Sequence, residues 1–208
     1  ISVFTPSFNT GRFIGQALDS IRSQRGPEGL ENESIVIDGG STDGTLELLA
    51  RRRADLARLV VEPDGGPAAA INKGLRLATG EVLAWLNADD VYHPGALARV
   101  MEAFARQPDR ALCFGRCRIV DEDGREIRRG ITRFKNACHP FSCRALVQTV
   151  NYVSQPALFF TRRAWMRAGG LNESLTAAFD YEWILRLWRH GGAIRLGGAP
   201  LADFRWHA

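Results

Sequence analysis

Ser34-Ile35-Val36-Ile37-Asp38-Gly39-Gly40-Ser41-Thr42-Asp43 is the stretch that decides the fold. An apolar run closes on a carboxylate and a glycine pair then turns the chain, which reads as a strand ending at Asp38. Asp43 stands where it can cap a following helix that carries Leu46, Leu48, Leu49 and Leu56. The same unit recurs on either side. Upstream, Ile1–Thr5 reads as a strand, Ser7-Phe8-Asn9-Thr10-Gly11 as a turn, and Phe13, Ile14, Ala17, Leu18 and Ile21 as one face of a helix. Downstream, strands are expected at Leu59–Glu62 and Glu81–Leu86. Helices are expected at Pro67–Ala78 and at Pro94–Arg106, the latter with proline in its first turn.

Four strand–helix units in succession predict an α/β fold, with a mostly parallel central sheet flanked by helices. Ligands of such sheets bind outside the carboxyl ends of the strands. Here those ends are Thr5, Asp38, Glu62 and the run Asn87-Ala88-Asp89-Asp90. The second half is less regular. Ala111–Val120 and Glu126–Arg129 read as a hairpin, and Ile131–Asn151 as a loop-rich stretch with a short helix. Gln155–Phe160 reads as a strand, Thr161–Ala168 as a helix, and Phe179–His190 as a helix packing Ile184, Leu187 and Trp188. Without a repeat or linker, residues 1–208 read as one domain.

Composition narrows the function classes. With 45% hydrophobic and 24% charged residues among 208, the chain is ordinary for a globular protein, and no apolar run approaches the roughly 18 residues that span a bilayer. The 27 basic residues outnumber the 23 acidic ones, but they are spread along the chain. No aromatic–basic repeat marks a nucleic-acid groove, so no nucleic-acid partner is expected. The Arg-heavy surface leaves peripheral association with an anionic membrane open. Cys113, Cys117, Cys138 and Cys143 lack the spacing of a zinc ribbon, which fits free thiols in a reducing compartment. The expected location is therefore the cytoplasm, including the inner face of the membrane.

The phosphate loops GxGxxG and GxxxxGK[ST] and the GxSxG nucleophile elbow are missing, so the chemistry falls to the carboxylates at the sheet edge. Clustered oxygens in Asn87-Ala88-Asp89-Asp90 suit a hard divalent cation held with substrate phosphates, or an Asx turn that satisfies its own backbone. Asp38 can accept from a base or ribose, or cap the next helix. Asp180 opens a helix whose dipole keeps a carboxylate ionised, which suits a general base as well as a cap.

Taken in order, these blocks resemble the family 2 glycosyltransferases. Thr5-Pro6-Ser7-Phe8-Asn9 and Ile35 through Thr45 look like the family's opening, and Glu62-Pro63-Asp64-Gly65-Gly66 leading to Ile71-Asn72-Lys73-Gly74 like its next block. Ala78-Thr79-Gly80-Glu81 through Trp85-Leu86-Asn87-Ala88-Asp89-Asp90 is similar to its DxD region. Gln155-Pro156-Ala157, Gly169-Gly170-Leu171 and Phe179-Asp180-Tyr181-Glu182 extend the match over essentially the whole chain.

The resemblance implies a GT-A (nucleotide-diphospho-sugar transferase) fold, with residues 1–107 as the nucleotide-sugar half and 108–208 as the acceptor half. It implies an inverting, metal-dependent transferase of cell-surface or exopolysaccharide glycan synthesis. The donor would be a nucleotide-sugar, a UDP-sugar first, and the acceptor a glycan or a lipid-linked molecule. Thr5, Pro6, Ser7, Asp38, Asp64, Asn72 and Asn87 would bind the nucleotide. Asp89 would hold Mn²⁺ or Mg²⁺, and His207 would either reach the metal or diphosphate or be an ordinary residue near the terminus. Asp180 would be the catalytic base, and Arg205 or another Arg would clamp the diphosphate. Gln155, Tyr181 and Trp183 would meet the acceptor, Trp183 having a place in the core as its other reading.

Three positions depart from the family pattern: Asn87 at the first DxD position, Ala69 where relatives have Asp, and Phe179 where many have an acidic residue. Phe179 leaves Asp180 as the only plausible base, while Asn87 and Ala69 leave a second function open, a non-catalytic sugar-nucleotide-binding or scaffold domain of a larger synthase.

Overall fold

Strands β1 (Ser2–Ser7) and β2 (Glu33–Asp38) lie parallel at the centre of the molecule, with Ser7 opposite Asp38. The computed structural model describes residues 1–24 and 31–207. β2 pairs with β3 (Arg58–Val61) and β1 with β4 (Val82–Trp85), again parallel. Helices α1 (Ile14–Arg22), α2 (Thr45–Arg51) and α3 (Pro67–Leu77) make the crossovers. On α1, Ile14, Ala17, Leu18 and Ile21 are the buried residues, at the helical spacing expected from the sequence.

After β4 come β5 (Val91–Tyr92), α4 (Ala96–Arg106), β6 (Leu112–Phe114), β7 (Cys117–Val120) and β8 (Glu126–Ile127). The chain continues through α5 (Arg129–Cys138), α6 (Arg144–Thr149), β9 (Leu158–Thr161), α7 (Arg162–Ala168) and α8 (Phe179–Trp188), and ends in β10 (Ala193–Arg195) and β11 (Ala202–Arg205). Among the described residues the main sheet has seven strands in the order β10-β6-β9-β4-β1-β2-β3, with β9 antiparallel to both neighbours. A second sheet runs β5-β11-β7-β8. The order reverses between β1 and β4, and that switch point is where an open α/β sheet leaves its ligand crevice.

Side-chain alternation along the central strands builds a core on both faces. Phe4, Leu83 and Trp85 point to the side of α3, α7 and α8, while Val3, Val82 and Ala84 point to the side of α1 and α4. On the first face Trp183 packs edge-on to Phe160 with centroids 4.7 Å apart and tilts on Trp85 at 5.5 Å. Among the described residues, no helix is long and apolar enough to cross a membrane.

The second half departs from the sequence expectation in instructive ways. Ala111–Val120 is not one strand. The chain leaves the main sheet after β6 and enters the second sheet as β7, with Gly115 between them where a Cβ would meet Leu201 Cδ1 at 2.6 Å. The hairpin is therefore β7–β8 alone, around a turn in which Asp121 Oδ1 accepts from Asp123 N and Arg125 N. Pro94 lies ahead of α4, because Gly95 at φ 74° interposes a left-handed residue. Gln155–Ala157 forms a 3-10 turn and the strand starts only at Leu158. The loop-rich stretch contains both α5 and α6.

Candidate active site

A cleft of about 540 Å³ opens at the switch point, lined by Pro6 and Ser7 of β1, Phe8 just after it, Gly39 after β2, Pro63 and Asp64 after β3, and Asn87-Ala88-Asp89 after β4. Asp38 forms its foundation. Its fully buried carboxylate accepts from Ser7 Oγ at 2.8 Å, Ser41 Oγ at 2.8 Å, and the backbone N–H of Gly40 and Ser41 at 3.0 and 2.7 Å. With two bonds on each oxygen, Asp38 ties β1 to the loop after β2 and has no acceptor position left for a ligand. Asp43 does similar work one loop further out. It accepts from Gly11 N and Thr45 N, while Gly44 takes the cap position ahead of α2.

Above this foundation is a slot. Phe8 is 63% exposed at the cleft wall. A Cβ on Gly39 would lie 3.3 Å from Phe8 Cδ2 and 3.3 Å from Asp64 Oδ2, so the missing side chain is what keeps the floor between them open. Asp64 Oδ1 accepts from Gly66 N at 2.8 Å, which fixes the carboxylate and leaves Oδ2 over Gly39. An aromatic face opposite a fixed acceptor suits a flat heterocycle that carries N–H donors.

Across the cleft, Asn87 Nδ2 donates to Asp90 Oδ2 at 3.1 Å and to Gln155 Oε1 at 3.0 Å, and Gln155 Nε2 donates to Trp85 O at 2.8 Å. Both amide hydrogens of Asn87 are thus used inward. Asp90 is buried, and it also accepts from Arg205 N at 2.8 Å. Burial, with the Asp89 charge beside it, pushes the Asp90 carboxyl well above the usual carboxylate range, against the pull of the Arg205 N–H and the Asn87 amide. Arg205 itself is buried. Its guanidinium donates to Asp89 O at 2.8 Å, Glu122 O at 2.6 Å and Gln16 Oε1 at 2.9 Å. It holds the Asn87–Asp90 loop from behind, so the diphosphate clamp expected of it from sequence is not available.

Asp89 lines the cleft, and His207, just beyond β11, reaches it with Nε2 2.7 Å from Asp89 Oδ2. His207 Nδ1 lies 3.6 Å from Glu122 Oε1, and the His207 ring tilts on Phe13 at 5.2 Å. One carboxylate oxygen and one imidazole nitrogen at a cleft mouth are a fitting partial donor set for Mn²⁺ or Mg²⁺, which take several ligands from substrate phosphates and water. No cluster of three or more metal-binding side chains occurs among the described residues, so such an ion would depend on its ligand for the rest of its shell.

Thr5 is fully buried beneath the cleft, with no hydrogen-bond partner for Oγ1 among the described residues. Asn72 turns away from the cleft. Its Nδ2 donates to Leu171 O at 3.0 Å and Glu173 Oε1 at 2.7 Å, and its Oδ1 accepts from Leu171 N at 2.8 Å. Trp183 is fully buried and donates from Nε1 to Gly169 O at 2.8 Å, so it offers no face to an acceptor. The Tyr181 hydroxyl donates to Val147 O at 2.6 Å. Asp180 is the second residue of α8, half-buried, where the helix N-terminal dipoles favour negative charge. Burial lowers the pKa of the nearby Lys135 ammonium, against the fields of Cys117 and Asp180. Phe8 and Gly39 have no role of their own at the level of sequence; the available signal is an aromatic directly after Ser7.

The glycosyltransferase family 2 model matches residues 2–170. The chain belongs to that family. A chondroitin synthase of Pasteurella multocida is 29% identical over 90% of this chain, and one of Escherichia coli 28% over 90%. The chain spans only 18% and 26% of those two proteins. An uncharacterized glycosyltransferase of Mycobacterium tuberculosis is 33% identical over 89% of this chain and 68% of its own length. Among solved structures, TarS 1–349 of S. aureus in complex with UDP superposes at a TM-score of 0.79 with 20% identity, covering 99% of this chain and 60% of that one. The mannosyltransferase PcManGT from Pyrobaculum calidifontis, in complex with GDP-Man and Mn²⁺, gives 0.76 with 24% identity over 98% and 56%. The fold of this family 2 glycosyltransferase is thus GT-A, as the resemblance implied.

Proposed function

We propose that this domain is an inverting transferase that moves a sugar from a UDP-sugar to an acceptor hydroxyl in the synthesis of a cell-surface or exopolysaccharide glycan. The observation that carries the reading is the pairing of Asp89 and His207 at the open end of the Phe8–Gly39–Asp64 slot. UDP as the nucleotide is supported by the UDP and UDP-GlcNAc complexes of TarS, and glycan polymerisation by the chondroitin and hyaluronan synthases among the relatives. The cytoplasm, including the inner face of the membrane, is the location that a nucleotide-sugar donor and four free cysteines among the described residues support.

Phe8 stacks on the base, and Asp64 Oδ2 accepts a hydrogen bond from the base or ribose. Asn87, whose amide hydrogens are used on Asp90 and Gln155, turns its carbonyl oxygen to a ribose hydroxyl. Asp89 and His207 would hold Mn²⁺ or Mg²⁺, whose charge offsets that of the departing diphosphate. Asp180 takes the proton of the acceptor hydroxyl as that oxygen bonds to the anomeric carbon. The bond from that carbon to the diphosphate oxygen breaks on the opposite face, and nucleoside diphosphate leaves with the electron pair. Single displacement inverts the configuration.

The test is release of UDP from a panel of UDP-sugars with Mn²⁺ and candidate acceptors, with the anomeric configuration of the product read by NMR. Wild type should release UDP and give the inverted product, and Asp180→Asn should bind donor without turnover. A retained configuration, or full activity in Asp180→Asn, overturns the mechanism. Donor binding with no turnover on any acceptor favours the scaffold function instead.

A further inference from the structure

Helix α5 and the turn after it present an apolar stripe to solvent. Ile131, Phe134 and Phe141 are 43%, 56% and 75% exposed, and with the exposed Ala137 they follow at intervals of three, three and four residues, one side of a helix and its continuation. The other side of α5 is anchored: Thr132 is buried, and Lys135 Nζ reaches Ser154 Oγ at 3.3 Å.

The charge along the stripe is predominantly positive, although Glu126 and Asp180 lie near its arginine and lysine residues. No Asp or Glu occurs from Ile127 to Asn172, where eight Arg and Lys do. Arg128, Arg129 and Arg133 are exposed along the helix, Arg129 sharing Glu126 at 3.7 Å. Exposed aliphatic and aromatic tips flanked by arginine match a surface that is apolar just below a layer of negative charge. Side-chain tips enter the acyl boundary while guanidinium groups stay with the headgroups. The surface also continues to the candidate site. Arg128 lies 3.8 Å over the ring of Trp206, which is 41% exposed and directly precedes His207.

We infer that this face docks the domain on an anionic lipid bilayer, with the cleft mouth beside the membrane plane. Joined to the transferase reading, on which this further step rests, the docking makes the acceptor a lipid-linked one.

The test is flotation of the protein with vesicles of phosphatidylcholine alone and of phosphatidylcholine with phosphatidylglycerol, at low and high salt. Wild type should float with the anionic vesicles only and be released by salt. Phe134→Ser with Phe141→Ser should weaken that binding about tenfold or more, since two aromatic tips are lost from the acyl boundary. Arg129→Gln with Arg133→Gln should remove most of its salt dependence. Thermal unfolding should match wild type in both, because all four side chains are exposed. As an independent reading, Phe134→Trp should shift its emission to the blue on adding anionic vesicles. Equal flotation with both vesicle types, no flotation, or a self-association of wild type that the Phe variant abolishes would overturn the proposal. The last result would assign the face to a second copy of this chain. None of these readouts needs a donor, so failure here leaves the transferase reading to its own test.

Discussion

His207 Nε2 sits 2.7 Å from Asp89 Oδ2, joining the residue just past the last strand to the loop at the switch point. The contact gives the cleft an imidazole that neither β1 nor β4 supplies. His207→Ala should weaken Mn²⁺-dependent nucleotide binding about 10–100-fold, the usual cost of losing a group that supports a metal site. Binding of the nucleoside without metal should be unchanged, and isothermal titration with UDP and with uridine separates the two.

Arg205 should matter for stability as much as for the site. Arg205→Met removes donors from Asp89 O, Glu122 O and Gln16 Oε1 in a buried setting. A loss of about 2–4 kcal/mol is expected from the unpaired acceptors, read as a lower denaturation midpoint.

Replacing Asn87 by Asp carries a cost in stability. An aspartate there would set a carboxylate against Asp90 Oδ2 in place of an amide donor. Asn87→Asp should destabilise by about 1–3 kcal/mol. Asp90→Asn should recover part of that loss in the double variant, because the two sites are in contact. A denaturation double-mutant cycle measures the coupling.

Gly39→Ala tests the slot. The new Cβ would touch Phe8 and Asp64 at 3.3 Å, where a base is proposed to lie. Nucleotide affinity should fall about tenfold or more, while stability changes by no more than about 0.5–1 kcal/mol, since the backbone there suits any residue.

His139 gives the fold an acid-sensitive point away from the cleft. Its ring packs on Phe114 and Tyr152, and burial together with Arg116, Arg195 and Lys135 lowers its pKa to about 4. The unfolded chain therefore binds a proton near pH 6.5 that the folded chain refuses until about pH 4, so stability rises with pH across that window and is lost on acidification. The difference is on the order of 3 kcal/mol at its fullest. His139→Phe should flatten the dependence of the unfolding midpoint between pH 4 and 6.5 relative to wild type.

The first four strands were legible because each is an apolar run closed by a polar or turn residue, and their order along the chain already implies a parallel sheet. The short strands β5, β10 and β11 were not, because two to four residues carry no period of their own and pair only once the main sheet exists. The break between β6 and β7 was hidden because its local mark is Gly115, a residue that packs against Leu201, far away in sequence. The same holds for the site. Asp89 was visible in its motif, but the inward use of Arg205 depends on a partner 116 residues away. Asn72, expected at the nucleotide, and Trp183, expected at the acceptor or in the core, have polar atoms that the fold uses for the loop between α7 and α8.

The most direct test of cation-dependent donor binding at Asp89 is calorimetric titration of UDP, GDP, CDP and dTDP, each with and without Mn²⁺, into wild type and Asp89→Ala. UDP should bind wild type in a Mn²⁺-dependent way, and Asp89→Ala should abolish that dependence. Equal, metal-independent binding to both proteins, or no binding of any of the four nucleotides, would contradict the assignment.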